Sequence, residues 1–341
     1  MAQMAAVSSK ILGIVMRKLS CVLLVTLFCG GISQAALFDR FVIFGDSLSD
    51  NGNAFIGTGG ATPAPPSYTV GRFTDGPDTS PAGTAGGIWH EVLSGLLGEP
   101  VATPFLAGGT NFAVGGAKVL PGDPVIPSLV QQIGIALSAT GGIADPNALY
   151  VIWGGANDLY GAVETPGETA IGVAATETAA VNSLVNDIGI LTAAGARNFL
   201  WLNLPQLATT PRGQLDPLNA ALAQASTQFR IDIAADSTQL AKTLGVRIAD
   251  VDIYGLYQNI LANPSAFGYT NVTTPAQGLA VNPDQYLFWD IPSHPTTTGH
   301  RLIALDADAA IANTFAPEPQ TWGFSALSLL LLAGMRRFRA Q

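Results

Sequence analysis

The chain has 341 residues, with 15 basic and 24 acidic side chains and a formal net charge of −9 at pH 7. Its two cysteines, Cys21 and Cys29, both lie near the N-terminus, so the rest of the chain has neither a disulfide nor a thiol nucleophile. The acidic balance excludes a nucleic-acid backbone as a favourable partner, because like charges repel.

Both ends read as sorting labels. Met16-Arg17-Lys18 opens a basic region, Leu19 to Phe28 is mostly apolar, and Ser33-Gln34-Ala35 supplies small residues. This order predicts a signal peptide over residues 1–35, cut after Ala35, with Met16 as an alternative start. A retained membrane helix competes, but the run is short and broken by Cys29-Gly30-Gly31. Phe28 before Cys29 argues against a lipoprotein site.

At the other end, Pro317-Glu318-Pro319 precedes the apolar stretch Trp322 to Met335 and then Arg336-Arg337-Phe338-Arg339. A terminal core helix competes here, since the stretch is shorter than the ~20 residues of a full membrane span. The basic cluster nevertheless matches positive charge held on the cytoplasmic side. The arrangement resembles the PEP-CTERM sorting signal. That resemblance implies transient membrane contact through the terminal segments and processing by an exosortase-like transpeptidase, as signal peptidase would process the leader. The product would be released to the envelope, the outer surface or the exterior. Residues 36–316 remain, a suitable size for one α/β domain. Setting aside the ends leaves nine basic against 23 acidic side chains, a net of −14.

In chain order, the apolar runs Phe41 to Phe44, Val101 to Phe105, Leu149 to Trp153, Phe199 to Leu204 and Val246 to Val251 predict five strands. Thr169 to Ala193 and Leu218 to Leu244 are Ala-rich with few helix breakers and predict long helices, and a last helix is expected from about Thr298 to Asn313. Short buried strands alternating with helices predict a parallel sheet covered on both faces. Ala61 to Pro66 and Pro77 to Pro81 read as surface loops. Ligands of such sheets bind beyond the carboxyl ends of the strands. Reactive groups are therefore expected in the segments that follow strands.

Those segments are unusual in composition. Gly45-Asp46-Ser47-Leu48-Ser49-Asp50 follows the first run, and Gly108-Gly109-Thr110-Asn111-Phe112-Ala113-Val114-Gly115-Gly116 follows the second. Gly154-Gly155-Ala156-Asn157-Asp158 follows the third, and Asp290-Ile291-Pro292-Ser293-His294-Pro295-Thr296 lies downstream of the last. Serine-based ester hydrolysis needs a nucleophile, a proton acceptor, a group that fixes the acceptor's tautomer, and donors for an oxyanion. Histidine is the natural acceptor near neutral pH. Of the three histidines, His90 falls in a helical pattern and reads as exposed or semi-buried, and His300 falls within the start of the final helix. His294, in a loop beside an acid and fixed by Pro295, is the candidate base.

Taken in order, Gly45 to Asp50, Asn111 to Ala117, Gly155 to Asp158 and Asp290…His294-Pro295-Thr296 resemble the blocks of the GDSL lipase/esterase (SGNH hydrolase) family, over roughly residues 38–312. Gly71-Arg72-Phe73 resembles the segment after the first block in its plant-lipase-like and hemolysin-like branch. The resemblance implies a flavodoxin-like three-layer α/β/α sandwich with a five-stranded, mostly parallel sheet. It implies Ser47 as nucleophile, His294 as base and Asp290 as its orienting acid. The oxyanion hole would combine the N–H groups of Ser47 and Gly116 with the Asn157 side-chain amide, with Gly115 a competitor for the Gly116 role. No metal or other cofactor is implied, and the partner is a small-molecule, lipid or acylated ester substrate. One departure stands out: three residues separate Asp290 from His294, where the family places two. Asp50, Asn53 and Asp158 are expected to brace turns. Alternatives within the enzyme class are a phospholipase or acyltransferase and a carbohydrate deacetylase; outside it, a catalytically silent surface-binding module.

Overall fold

The structure, a computed structural model, describes residues 37–76 and 87–315. The expected leader, the PEP-CTERM-type tail and the Pro77 to Pro81 loop lie outside those residues.

Four strands form one parallel sheet: β1 (Phe41–Gly45), β2 (Leu149–Trp153), β3 (Asn198–Leu202) and β4 (Arg247–Val251), in the order β1-β2-β3-β4. Every residue of β1, β2 and β3 is buried, which is why these strands read as unbroken apolar runs rather than as alternating patterns. In β4, at the sheet edge, Arg247 is exposed while Ala249 and Val251 are buried.

The helices are α1 (Asn53–Gly57), α2 (Trp89–Leu97), α3 (Leu129–Ala139), α4 (Ala156–Val163), α5 (Ala170–Ala194), α6 (Asn219–Leu244), α7 (Ile253–Ala262) and α8 (Thr297–Phe315). Helix α2 packs on α8, while α5 packs on α3, α4 and α6; β4 is touched by both α6 and α8. The sheet thus lies between helical layers, as expected. Helix α5 begins at a capped end, where Thr169 Oγ1 accepts the N–H of Gly172. It closes at Gly195, whose φ of 123° suits a residue without a Cβ.

The fifth strand, expected over Val101 to Phe105, is absent among the described residues. Pro104 lacks an N–H to give to a ladder, and Phe105 begins a short 3-10 turn. The place beside β1 is taken instead by an irregular segment. Ile43 N–H donates to Thr110 O (3.0 Å), Phe112 N–H to Ile43 O (2.8 Å) and Val114 N–H to Gly45 O (3.2 Å). With this segment on one side of β1 and β2 on the other, the chain reverses its winding direction at β1. The crevice beyond β1 and β2 is therefore the topological switch point, where ligands of open α/β sheets bind.

Candidate active site

Gly45 ends β1 where no side chain fits: a Cβ there would stand 2.6 Å from Trp153 O. Gln132 of α3 clamps its peptide, accepting the Gly45 N–H and donating to Gly45 O, both at 2.9 Å. The chain then folds back on Asp46. Its carbonyl accepts the N–H groups of Ser49 and Asp50 (3.1 and 3.0 Å), and its Oδ1 accepts that of Leu48 (3.0 Å). Ser47 sits at the apex of this turn, and its own N–H has no partner among the described residues.

Asp50 holds the next layer. Its Oδ1 accepts the N–H groups of Gly52 and Asn53, while its Oδ2 accepts those of Ala54 and Gly115 (2.8 Å). This ties the serine turn to the glycine loop and commits the Gly115 N–H. The Gly116 N–H has no partner among the described residues, and Gly116 adopts φ 82°, a conformation glycine takes without strain. Asn157, at the start of α4, donates its amide to Ala117 O at 2.9 Å. Asp158 beside it accepts the N–H groups of Val119 and Leu120. Asp50, Asn53 and Asp158 thus brace turns, as expected.

The histidine arrives from the far side. His294 Nε2 lies 2.7 Å from Ser47 Oγ, and His294 Nδ1 lies 2.6 Å from Asp290 Oδ2. Asp290 Oδ1 also accepts the His294 backbone N–H at 2.9 Å. The extra residue between acid and base is absorbed locally. Ser293 takes φ 79° and donates its N–H to Asp290 O, while Trp289 N–H closes on His294 O at 2.7 Å. Asp290 is fully buried, and its carboxylate accepts the Tyr68 hydroxyl and the His294 backbone N–H. The imidazole proton therefore sits on Nδ1, leaving Nε2 free to accept from Ser47.

Around this line of three residues the structure places groups that sequence reasoning passed over. Tyr68 donates its hydroxyl to Asp290 Oδ2 at 2.7 Å. Phe73 stacks on the His294 ring, centroids 5.1 Å apart and planes 28° apart. Phe73 lies within the quoted Gly71-Arg72-Phe73, so a signal existed for it; Tyr68 follows a proline-rich loop whose position no pattern fixes. Arg72 donates from Nε and Nη2 to the two carboxylate oxygens of Glu91 of α2, and from Nη1 to Val70 O. Asp46 is buried, which pushes its carboxyl up to about 6, and its Oδ2 stands 3.5 Å from the Asn157 amide nitrogen. The four expected site residues other than Asp290, namely Ser47, Gly116, Asn157 and His294, line one cleft of about 320 Å³, with Asp290 directly behind His294.

The other two histidines are elsewhere. His90 is fully buried, not exposed or semi-buried as its helical pattern suggested: its Nε2–H donates to Ser49 O at 3.0 Å, and burial lowers its pKa to about 4. The helix that carries it is covered by α8 on a face the sequence pattern did not reveal. His300 is buried too, lowered to about 3 by burial, and its Nδ1 accepts the Trp89 N–H at 3.3 Å. Both serve packing between α2 and its neighbours.

Among the described residues no cluster of side chains is fit to hold a metal ion, and no helix is long and apolar enough to cross a membrane.

Residues 41–307 match the family described as GDSL-like lipase/acylhydrolase. The chain is 26% identical to a phosphatidylcholine-sterol acyltransferase of Aeromonas hydrophila, over 85% of this chain and 79% of that one. It is 29% identical to the esterase EstA of Pseudomonas aeruginosa, over 78% of this chain and 46% of that one. It is 23% identical to the thermolabile hemolysin of Vibrio parahaemolyticus, over 80% of this chain and 63% of that one. The chain thus spans less than two thirds of the Pseudomonas and Vibrio relatives. Among solved structures, the acetylxylan esterase Axe2 of Geobacillus stearothermophilus aligns with a TM-score of 0.41 at 17% identity, over 82% of this chain and 97% of that one. A match covering most of the chain, on a sheet of the expected class, places the chain in the GDSL-like lipase/acylhydrolase family of enzymes acting on ester bonds.

Proposed function

We propose that the protein hydrolyses carboxylic esters by transferring the acyl group to Ser47 and then to water. Ser47 Oγ attacks the carbonyl carbon as His294 Nε2 takes the hydroxyl proton. The carbonyl oxygen, now anionic, is held by the N–H groups of Ser47 and Gly116 and by the Asn157 amide. The tetrahedral intermediate collapses, the carbon–oxygen bond to the alcohol breaks, and His294 returns its proton to the leaving oxygen. Water then attacks the acyl-enzyme with His294 again as base, releasing the acid and restoring Ser47.

The observation that carries this reading is the continuous line from Ser47 Oγ through the imidazole to Asp290, at 2.7 and 2.6 Å. Three further features support it. The N–H groups of Ser47 and Gly116 are unspent among the described residues, an amide stands beside them on the same cleft, and Asp290 fixes the imidazole tautomer. They also weigh against a silent binding module, which has no need of an activated serine.

The test is hydrolysis of p-nitrophenyl butyrate. Ser47→Ala should abolish turnover with the melting temperature unchanged, and a fluorophosphonate should label the wild-type protein but not the variant. Asp290→Asn should lose roughly three to four orders of magnitude in kcat, as expected when the imidazole tautomer is no longer selected. Substantial turnover by Ser47→Ala would reject the nucleophile.

Transfer to an alcohol instead of water is a second reading, supported by the name of the Aeromonas relative. Added acceptor alcohol diverting the acyl group to a new ester would favour it. Export forms part of the proposal, supported by the leader and tail patterns, with signal peptidase and an exosortase-like enzyme as processing partners.

A further inference from the structure

Beyond the Ser47 cleft lies a more open groove of about 740 Å³, bounded by the 123–127 loop and α3. Phe105, Pro124, Val125, Ile126 and Ile135 form its apolar wall. Val125 is 85% exposed and Ile135 37%, although both are purely hydrocarbon. Ile135 stands on α3, and the loop that presents Val125 is built rather than loose: Asp123 Oδ1 accepts the N–H groups of Val125 and Ile126, at 2.8 and 2.9 Å. The carboxylate is thereby spent on its own backbone while the two apolar side chains are displayed.

Ile126 stands between this groove and the cleft. It lines the groove, and its Cδ1 lies 3.1 Å from where a methyl group on Gly116 would stand, while Gly116 lines the cleft.

We propose that the groove carries the acyl chain of the substrate, which makes the enzyme selective for esters of medium- and long-chain fatty acids. The proposal rests on Ser47 being the nucleophile. A carbonyl carbon bonded to Ser47 Oγ has three other substituents. Its oxygen occupies the hole formed by Ser47, Gly116 and Asn157. Its leaving oxygen must lie within reach of His294 Nε2 to be protonated, so the alcohol extends toward Pro292, Ser293 and Arg212 on that side of the cleft. The acyl chain takes the remaining direction, past Gly116 and over Ile126. Each methylene laid against the groove wall leaves water, a favourable step, and glycine at 116 keeps the path low.

The double variant Val125→Asp/Ile135→Glu tests this at exposed positions that touch none of the reacting groups. Its kcat/KM for p-nitrophenyl decanoate should fall about tenfold or more, while that for p-nitrophenyl butyrate stays within about twofold. Decyl acetate, which carries its long chain on the alcohol, should be hydrolysed as well by the variant as by wild type. Equal losses on butyrate and decanoate, no loss on either, or a selective loss on decyl acetate would each overturn the groove assignment. Wild-type protein with no Ser47-dependent butyrate hydrolysis would instead sink the underlying catalytic reading. Intact butyrate hydrolysis without a chain-length effect sinks the groove alone.

Discussion

Tyr68 and His294 share one oxygen: Asp290 Oδ2 accepts the phenol at 2.7 Å and the imidazole Nδ1–H at 2.6 Å. The phenol draws part of the carboxylate's charge away from the imidazole. Removing it in Tyr68→Phe leaves Asp290 a stronger acceptor for His294 alone. The carboxylate then holds the imidazole with one anchoring donor fewer. At pH 8 kcat should fall modestly, about three- to tenfold, the worth of one hydrogen bond. Steady-state kinetics checks it, and a variant as fast as the wild type would show that Tyr68 only packs.

Asn157 stands on the cleft with its amide oriented by Ala117 O. If it stabilises an oxyanion, Asn157→Ala should lower kcat about 100- to 1,000-fold with little change in KM, because the interaction strengthens only as charge develops. A rise in KM at constant kcat would instead mark it as a ground-state binding residue.

Arg72 and Glu91 form an ion pair in which the carboxylate is fully buried and the guanidinium 19% exposed. Glu91 also accepts the N–H of Ile88 and the amide of Asn51, and Arg72 holds Glu91 below the usual carboxylate range. Arg72→Met leaves that charge without its counter-ion, at a cost of about 3–5 kcal/mol, or on the order of 10 °C in Tm. Replacing both residues, as Arg72→Met/Glu91→Leu, should recover part of the loss. Calorimetry at pH 7 decides it; a single variant that melts with the wild type would mean the pair contributes little.

Asp187 is buried in α5 with neither oxygen hydrogen-bonded among the described residues, and burial raises its pKa from 3.8 to about 7. Well below pH 3.8 the carboxyl is neutral in both folded and unfolded chains. As pH rises toward 7 the unfolded chain ionises freely while the folded one resists, so stability is lost across that window. Asp187→Asn removes the liability. The variant should melt several degrees above wild type at pH 8.5, from about 2–4 kcal/mol, and the gap should close by pH 4. A constant offset at both pH values would show that charge is not the cause.

The strands that cradle the site were legible because burial on both faces leaves only apolar residues, and Leu149–Trp153 was located to the residue. The run before Phe105 misled for the opposite reason: its apolar residues serve a turn beside β1, and Pro104 cannot join a ladder. The serine, histidine and asparagine were readable because each follows a strand or sits in a polar loop of distinctive composition. The register of the paired glycines was not. It depends on which N–H Asp50 consumes, a contact spanning 65 residues. The irregular acid–histidine spacing could be resolved only by the backbone of Ser293, and the burial of His90 only by the helix packed over it.

The Ser47 to His294 contact joins residues 247 positions apart. The loop bearing the imidazole is moored to an early segment, through Thr74 Oγ1 on Pro295 O and Thr297 N–H on Asp75 Oδ1. During synthesis the serine therefore leaves the ribosome long before the imidazole that stands beside it in the folded chain. On the proposed mechanism, a truncated or still-growing polypeptide carries a serine with no base.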